Sequence, residues 1–311
     1  MANLKELSKK KELLTGGHRL CAGCGASIAV RQILSALDDP VVVGNATGCL
    51  EVATTIYPYT AWDTPFIHNA FENVAATISG AEAMFSSLKK QGKIDKEVKF
   101  IAFGGDGGTY DIGIQSLSGA LERGHNFVYV CYDNEAYMNT GIQRSSATPR
   151  GAWTTTTPAG KVIPGKTQYR KDLTAIVVAH NIPYVAQASI WRWNDLIGKA
   201  RKAFYTGGPA FINVLSPCHL GWRYNMEDTI KVAKLATQTN FWPLYEVEDG
   251  KWKLNYKPKE RRPIREWMEM QGRFSHLFKP ENEHIIKEVQ EEVDKNWTGL
   301  LAKCEKGGLT K

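Results

Sequence analysis

The chain has 311 residues, 43% of them hydrophobic and 23% charged, which suits a soluble globular protein with an ample core. No apolar run approaches the ~18 to 20 residues of a membrane span, and the opening MANLKELSKKKELL is charged, without the apolar centre of an export signal, so a cytoplasmic protein is expected. Six cysteines are too few and too unevenly placed for a secreted disulfide scaffold. Beyond a short extension (1–16), the stretch GHRLCAGCGASIAV puts Cys21 and Cys24 three apart at the start of a helix, whose Val30, Ile33, Leu34 and Leu37 fall on one face. By itself the pair is compatible with zinc, part of an iron–sulfur cluster, a redox dithiol or two idle thiols.

PVVVGN (40–45) has the composition of a buried strand, and 69–90 reads as one long helix. VKFIAFGG (98–105) is a strand running into glycines. Ile114, Leu117 and Leu121 mark the next helix, which Gly124 caps, and FVYVCYDN (127–134) is a further strand. LTAIVVAHN, PYVAQASI, NDLIGKARKAFYTGG and PAFINVLSP (209–217) follow as helix, strand, helix and strand. This alternation predicts an α/β fold, a mostly parallel sheet with helices on both faces. Ligands of such sheets bind at the carboxyl ends of the strands, where residues 45–49, 104–108, 133–141 and 217–218 fall. Residues 142–171 lack periodicity, and a loop that long is usually functional or mobile.

The alternation stops near 220. FWPLYEVEDGKWKLNYKP predicts a hairpin turning at Asp249-Gly250. EHIIKEVQEEVDKNWTGLLAK predicts an amphipathic helix with Ile286, Val289, Val293, Trp297 and Leu300 on one side. We therefore divide the chain into an extension (1–16), a main domain (17–219) and a C-terminal arm (220–311) that packs on partner subunits. Most of the net charge of +7 lies in KWKLNYKPKERRPIR (251–265), seven Lys or Arg against one Glu. It lacks the spacing of a nucleic-acid-binding motif, so an acidic partner, a subunit interface or a solvated face are the readings left.

FGGDGGTYDIG lies at a strand end and opens a helix, a place suited to phosphate. It is neither a dinucleotide fingerprint nor a P-loop. A carboxylate beside a phosphate site is repulsive unless a cation lies between them, and Mg²⁺ is the natural one. Asp106 and, at the next strand end, Asn134 offer the oxygens. Tight turns at both places are the bland alternative; their joint position at strand ends favours a metal–diphosphate site.

GDG at 105–107 followed by Asn134 resembles the thiamine-diphosphate-binding motif. Members often end that motif in two asparagines, whereas here DNEAYMNTG flanks Asn134 with Asp133 and Glu135. With GHRLCAGCGA, ATGCLEV, YPYTAW, FIHNAFENVAAT, FGGDGGTYDIGIQSLSGALERGH and SPC in order, the chain resembles, over essentially its whole length, the beta subunits of pyruvate-type 2-oxoacid:ferredoxin oxidoreductases.

The resemblance implies Mg²⁺ held by Asp106, Asn134 and the Ala136 carbonyl. It places Gly107, Gly108, Met138 and Thr140 along thiamine diphosphate, Cys49 and Leu50 beside it, and Asn139 at its reacting end in a catalytic role. It assigns one [4Fe-4S] cluster to Cys21, Cys24, Cys49 and Cys218, with zinc as the chemical rival. Cys131, inside an apolar strand, reads as core, and Cys304 is left free. The implied activity is oxidative decarboxylation of a 2-oxoacid, with electrons passing one at a time to ferredoxin. Pyruvate with coenzyme A is favoured over oxalate or a branched 2-oxoacid. The family takes its activating glutamate from another subunit, so neither Glu51 nor Glu72 is given that role. Alpha, gamma and delta partners are expected; nucleic acid and membrane are not. His18, His68 and His219 are read as structural or lining residues. Two rival functions stand beside this one: a zinc-stabilised nucleotide-binding module without catalysis, and an electron-transfer subunit whose thiamine site is vestigial.

Overall fold

The computed structural model describes residues 3–307. Eight strands form one sheet in the order β2-β1-β3-β4-β6-β5-β7-β8. They are β1 (Val41–Ala46), β2 (Phe66–Asn69), β3 (Lys99–Gly105), β4 (Val128–Asp133), β5 (Tyr184–Ser189), β6 (Ala210–Leu215), β7 (Tyr245–Glu248) and β8 (Lys251–Leu254). Strands β1 to β6 pair in parallel, and β4, β5 and β6 are buried along their whole length, as a sheet covered on both faces requires. Chain order reverses at β1, which has β2 on one side and β3 on the other. The crevice between the carboxyl ends of β1 and β3 is thus a topological switch point.

On one face α2 (Gly25–Leu34) and α7 (Trp193–Tyr205) pack together over a core that includes Val30, Ile33, Val130 and Ile212. On the other, α4 (Val74–Lys90) and α5 (Ile114–Glu122) cover Phe100, Tyr129 and Phe211. The short helices α1 (Leu4–Leu7), α3 (Cys49–Thr54), α6 (Leu173–Val178) and α8 (His219–Trp222) occupy connections. The C-terminal elements α9 (Thr229–Gln238), α10 (Ile264–Glu269) and α11 (Glu283–Gly307) enclose a third core around Trp222, Trp242 and Trp267.

The expected helix over 69–90 begins only at Val74: Asn69 ends the short edge strand β2, and residues 70–73 form the turn that leads into the helix. The hairpin at Asp249-Gly250 is present, both residues taking the positive φ of a tight turn (+47° and +76°). It pairs antiparallel to β5, and so completes the sheet of the main domain. Along α11, Ile286, Val289, Val293 and Leu300 are buried as expected. The basic run is met by the chain's own carboxylates: Lys253 by Glu246 at 3.1 Å, Arg265 by Glu283 at 2.6 Å, Arg261 by Asp294 and Arg262 by Glu266.

Glu246 ties this hairpin down. Burial would raise its carboxyl, but hydrogen bonds from Tyr184 (2.7 Å), Lys253, Lys202 and Asn255 outweigh that and bring it to about 2. A lowered carboxyl contributes stability above its unfolded value of about 4.3, and that contribution is lost as pH falls toward the folded value. We expect Glu246→Gln to cost about 2 kcal/mol at neutral pH. In urea denaturation the gap to the parent should narrow below about pH 4 and close near pH 2.

Candidate functional site

Strands β1, β3, β4 and β6 end side by side: Asn45 pairs with Phe103, Gly105 with Tyr132, and Asp133 with Leu215. The loops that follow meet in one cleft, walled by Cys49 after β1, Gly107 and Gly108 after β3, and Asn134, Met138 and Asn139 after β4. Ala136 and Thr140 border it too, and Leu50 is buried in α3 next to Cys49. Gly107 begins a π-helical turn (Gly107–Ile112), a rare form that recurs at functional positions. A Cβ at Gly107 would lie 2.4 Å from the Tyr137 ring, and Tyr137 Oη donates to the Gly107 carbonyl at 2.8 Å. This glycine is required by the packing of the loop itself, before any ligand is considered.

Asp106 is 0% exposed. Its Oδ2 accepts from Ser145 Oγ at 2.5 Å, and its Oδ1 from the Asn134 N–H at 3.3 Å. Burial first, and then the charge of Asp133, push its carboxyl well above the usual range. Asp133 and Glu135 are as deeply buried, but each has a cation. Arg170 meets Asp133 at 2.7 Å and Glu135 at 2.9 Å, while Arg273 meets Glu135 at 2.5 Å. Three buried carboxylates therefore share two guanidiniums. Among the described residues, Asp106 has no cationic side chain in contact.

Asn134 sharpens the point. As its amide is set, the oxygen stands 2.9 Å from Asp106 Oδ1 and 2.8 Å from the Ala136 carbonyl oxygen. Glu135, between Asn134 and Ala136, has φ +67°, a left-handed turn in the backbone that joins them. Turning the amide over makes both contacts hydrogen bonds, a setting that suits a metal-free carboxyl. With the amide as set, three oxygens meet without a proton between them, and a cation is what such a group binds. Octahedral Mg²⁺ binds oxygen at about 2.0–2.1 Å, so its adjacent ligands lie about 2.9 Å apart. The donor set fits that ion.

Cys21 and Cys24 precede α2, Cys49 opens α3, and Cys218 caps α8, where the Gly221 N–H donates to its sulfur at 3.4 Å. Backbone bonds draw these loops together: Gly25 N–H to the Pro217 carbonyl (3.2 Å) and Arg19 N–H to the Ala53 carbonyl (2.8 Å). Burial raises Cys49 to about 12 and Cys218 to about 11, and charge on the other cysteines of the set pushes both the same way. The Asn139 side chain pulls Cys49 back. Thiols raised this far become thiolates at neutral pH only where a metal takes up the charge. Among the described residues no three His, Cys, Asp or Glu side chains converge as a single ion would need. The four thiols lie near enough to influence one another, yet spread wider than a one-ion site.

The cleft and the cysteines are contiguous. Cys49 belongs to both, and Met138 fills the place where Gly221 would carry a side chain, next to Cys218. Cys131 is buried in β4, and Cys304 lies on α11, partly buried against the core. Glu51 is buried and engaged by His68 at 2.5 Å and Thr55 at 2.7 Å, whereas Glu72 is exposed. His219 packs edge-on against Tyr224. The sequence reading missed Ser145, Arg170 and Arg273, which support the site from behind. Their signal was present in DNE: two acids at a buried strand end need two cations.

The family model "Thiamine pyrophosphate enzyme, C-terminal TPP binding domain" matches residues 43–214. "Pyruvate synthase subunit PorB" of Thermotoga maritima is 53% identical over 309 residues, covering 96% of this chain and 95% of that one. The protein of the same name from Methanocaldococcus jannaschii is 53% identical over 91% of this chain and 95% of its own. "Ketoisovalerate oxidoreductase subunit VorB" of Pyrococcus furiosus is 44% identical over 92% of each. Among solved structures, "2-oxoglutarate:ferredoxin oxidoreductase from Magnetococcus marinus with 2-oxoglutarate, coenzyme A and succinyl-CoA bound" aligns with a TM-score of 0.55 at 18% identity. The alignment covers 73% of this chain and 81% of that one, a likeness of fold.

Arg273→Met leaves Glu135 with Arg170 alone and should destabilise the chain by about 3–5 kcal/mol, the cost of breaking a buried pair. Adding Glu135→Gln should recover a large part of that in urea denaturation.

Proposed function

The chain belongs to the thiamine-diphosphate enzymes and, within them, to the PorB-type subunits of 2-oxoacid oxidoreductases, and from that membership we propose that it carries both the catalytic cofactor and the first electron acceptor of its complex. In this reading Asp106, Asn134 and the Ala136 carbonyl hold Mg²⁺. Thiamine diphosphate occupies the cleft along Gly107, Gly108, Met138 and Thr140, with Cys49 and Leu50 beside it. Cys21, Cys24, Cys49 and Cys218 hold a [4Fe-4S] cluster. The observation that carries the reading is Asp106, a fully buried carboxylate left without a cation, with the Asn134 side chain and the Ala136 carbonyl beside it.

When bound, thiamine diphosphate supplies the electron sink for loss of carbon dioxide, and an iron–sulfur cluster supplies a one-electron acceptor. The chain's own residues bind and position. Arg170 and Arg273 neutralise Asp133 and Glu135, so the net negative charge offered to a cation is that of Asp106. Met138, wedged on Gly221, fixes the cleft loop against the Cys218 loop. Asn139, beside Cys49 in the cleft wall, presents an amide where the two loops meet, the position for a polar catalytic group.

The PorB relatives favour pyruvate, with coenzyme A taking the acyl group; the VorB relative supports a branched 2-oxoacid as second reading. With Glu51 engaged by His68, the activating glutamate comes from an alpha partner. Gamma and delta subunits complete the complex, and ferredoxin takes the electrons. The outer face of 220–311 serves as a subunit contact beside the 17–219 domain. No described helix is long and apolar enough to cross a membrane.

In the assembled complex, Asp106→Asn should weaken retention of thiamine diphosphate by at least about 10–100-fold, the loss seen on removing even a metal ligand's support. Its cluster absorbance should persist. Cys218→Ser should do the reverse. Wild-type cofactor affinity in Asp106→Asn would refute the metal assignment. A panel of pyruvate, branched 2-oxoacids and oxalate, with and without coenzyme A, reads the substrate.

A further inference from the structure

Tyr132, on β4, shares the sheet face of Val130 and Leu50. It is 1% exposed, and although the Leu50 backbone N–H faces its Oη, no partner in hydrogen-bond geometry is present among the described residues. Buried phenols normally find one, because an unpaired hydroxyl in the interior is costly. The tip of the ring lies between two bare backbone positions. A Cβ on Gly48 would stand 2.7 Å from Oη, and one on Gly105 would stand 3.4 Å from the ring edge. Both positions and the ring border the cleft, together with Cys49.

The hydroxyl thus occupies the place a side chain at Gly48 would take, beside the step from Gly48 to Cys49. The Asp106 oxygens have their own donors in Ser145 and the Asn134 N–H. The step from Gly48 leads directly to Cys49, a member of the proposed cluster set. We propose that the Tyr132 hydroxyl is a positioning and tuning residue that donates a hydrogen bond to a sulfur of the iron–sulfur group held at Cys49. The inference rests on the cluster reading above. Hydrogen bonds to cluster sulfurs are among the determinants of reduction potential, and a donor favours the more negative, reduced form. Tyr132 therefore holds the potential of this acceptor up.

The test compares the full chain, wild type and Tyr132→Phe, with the cluster reconstituted anaerobically. An EPR-monitored redox titration should place the Phe variant at the lower potential. In D₂O, a deuteron coupling to the reduced wild-type cluster should be lost in the variant. In cluster-free protein, Tm should stay level or rise, since the change removes an unpartnered buried hydroxyl. Equal potentials with the deuteron coupling retained would overturn the inference while leaving the cluster reading intact. So would altered thiamine diphosphate affinity at unchanged potential, or a fall in cluster-free Tm with no shift in potential. A wild-type chain that takes up no cluster would overturn both.

Discussion

One buried carboxylate without a counter-ion organises this protein. Asp106, Asp133 and Glu135 crowd the carboxyl ends of β3 and β4 in a region closed to water, where each ionised acid is expensive. Two arginines settle Asp133 and Glu135, and neither reaches Asp106. A cation, as proposed, would complete the charge balance of this place. The Asn134 amide, able to face Asp106 with either its oxygen or its nitrogen, suits both conditions. A group held by such a set is a divalent ion with hard-oxygen preference, and an ion of that kind takes a diphosphate as its further ligand.

That constraint reaches across the whole chain. Arg170 comes from the long loop after β4, and it stacks at 4.8 Å over Trp242 as well as pairing with Asp133. Arg273 comes from the segment after α10 and lies 4.0 Å over the Trp222 ring, whose Nε1 donates to the Asn134 carbonyl at 2.7 Å. The third core is therefore the buttress of the acid cluster, holding by aromatic packing the cations that make it tolerable. The long loop, too, owes its order to function. Ser145 serves Asp106, and Thr148 serves the Glu135 carbonyl at 2.6 Å.

The same economy explains the junction between cleft and cysteines. Parallel strands β1, β3 and β6 deliver Cys49, the Asp106 loop and Cys218 to one rim because all run in one direction. The segment carrying Cys21 and Cys24 is brought there by a backbone bond to Pro217. Glycines at 48, 105 and 221 keep the spaces between these loops narrow, occupied by Tyr132 and Met138.

Much of this was legible in the residues. Strand–helix alternation has a period that a sequence displays, so the parallel sheet and its functional rim followed from local pattern. Asp106 between glycines and Asn134 at the next strand end suggested a cation by chemical incompatibility with phosphate alone, and ordered motifs identified the family, which the relatives bear out. Short β2 carried no readable period and was not predicted, and the turn after it was read as the start of the helix. The hairpin was visible as a turn, but its place on β5 was not, since pairing partners are a tertiary matter. The sequence by itself determined which residues could ligate, because ligation depends on side-chain chemistry. Only the tertiary structure decided which acids were left without a cation, because charge balance in a buried site is set by neighbours far apart in the chain, Arg170 and Arg273 above all.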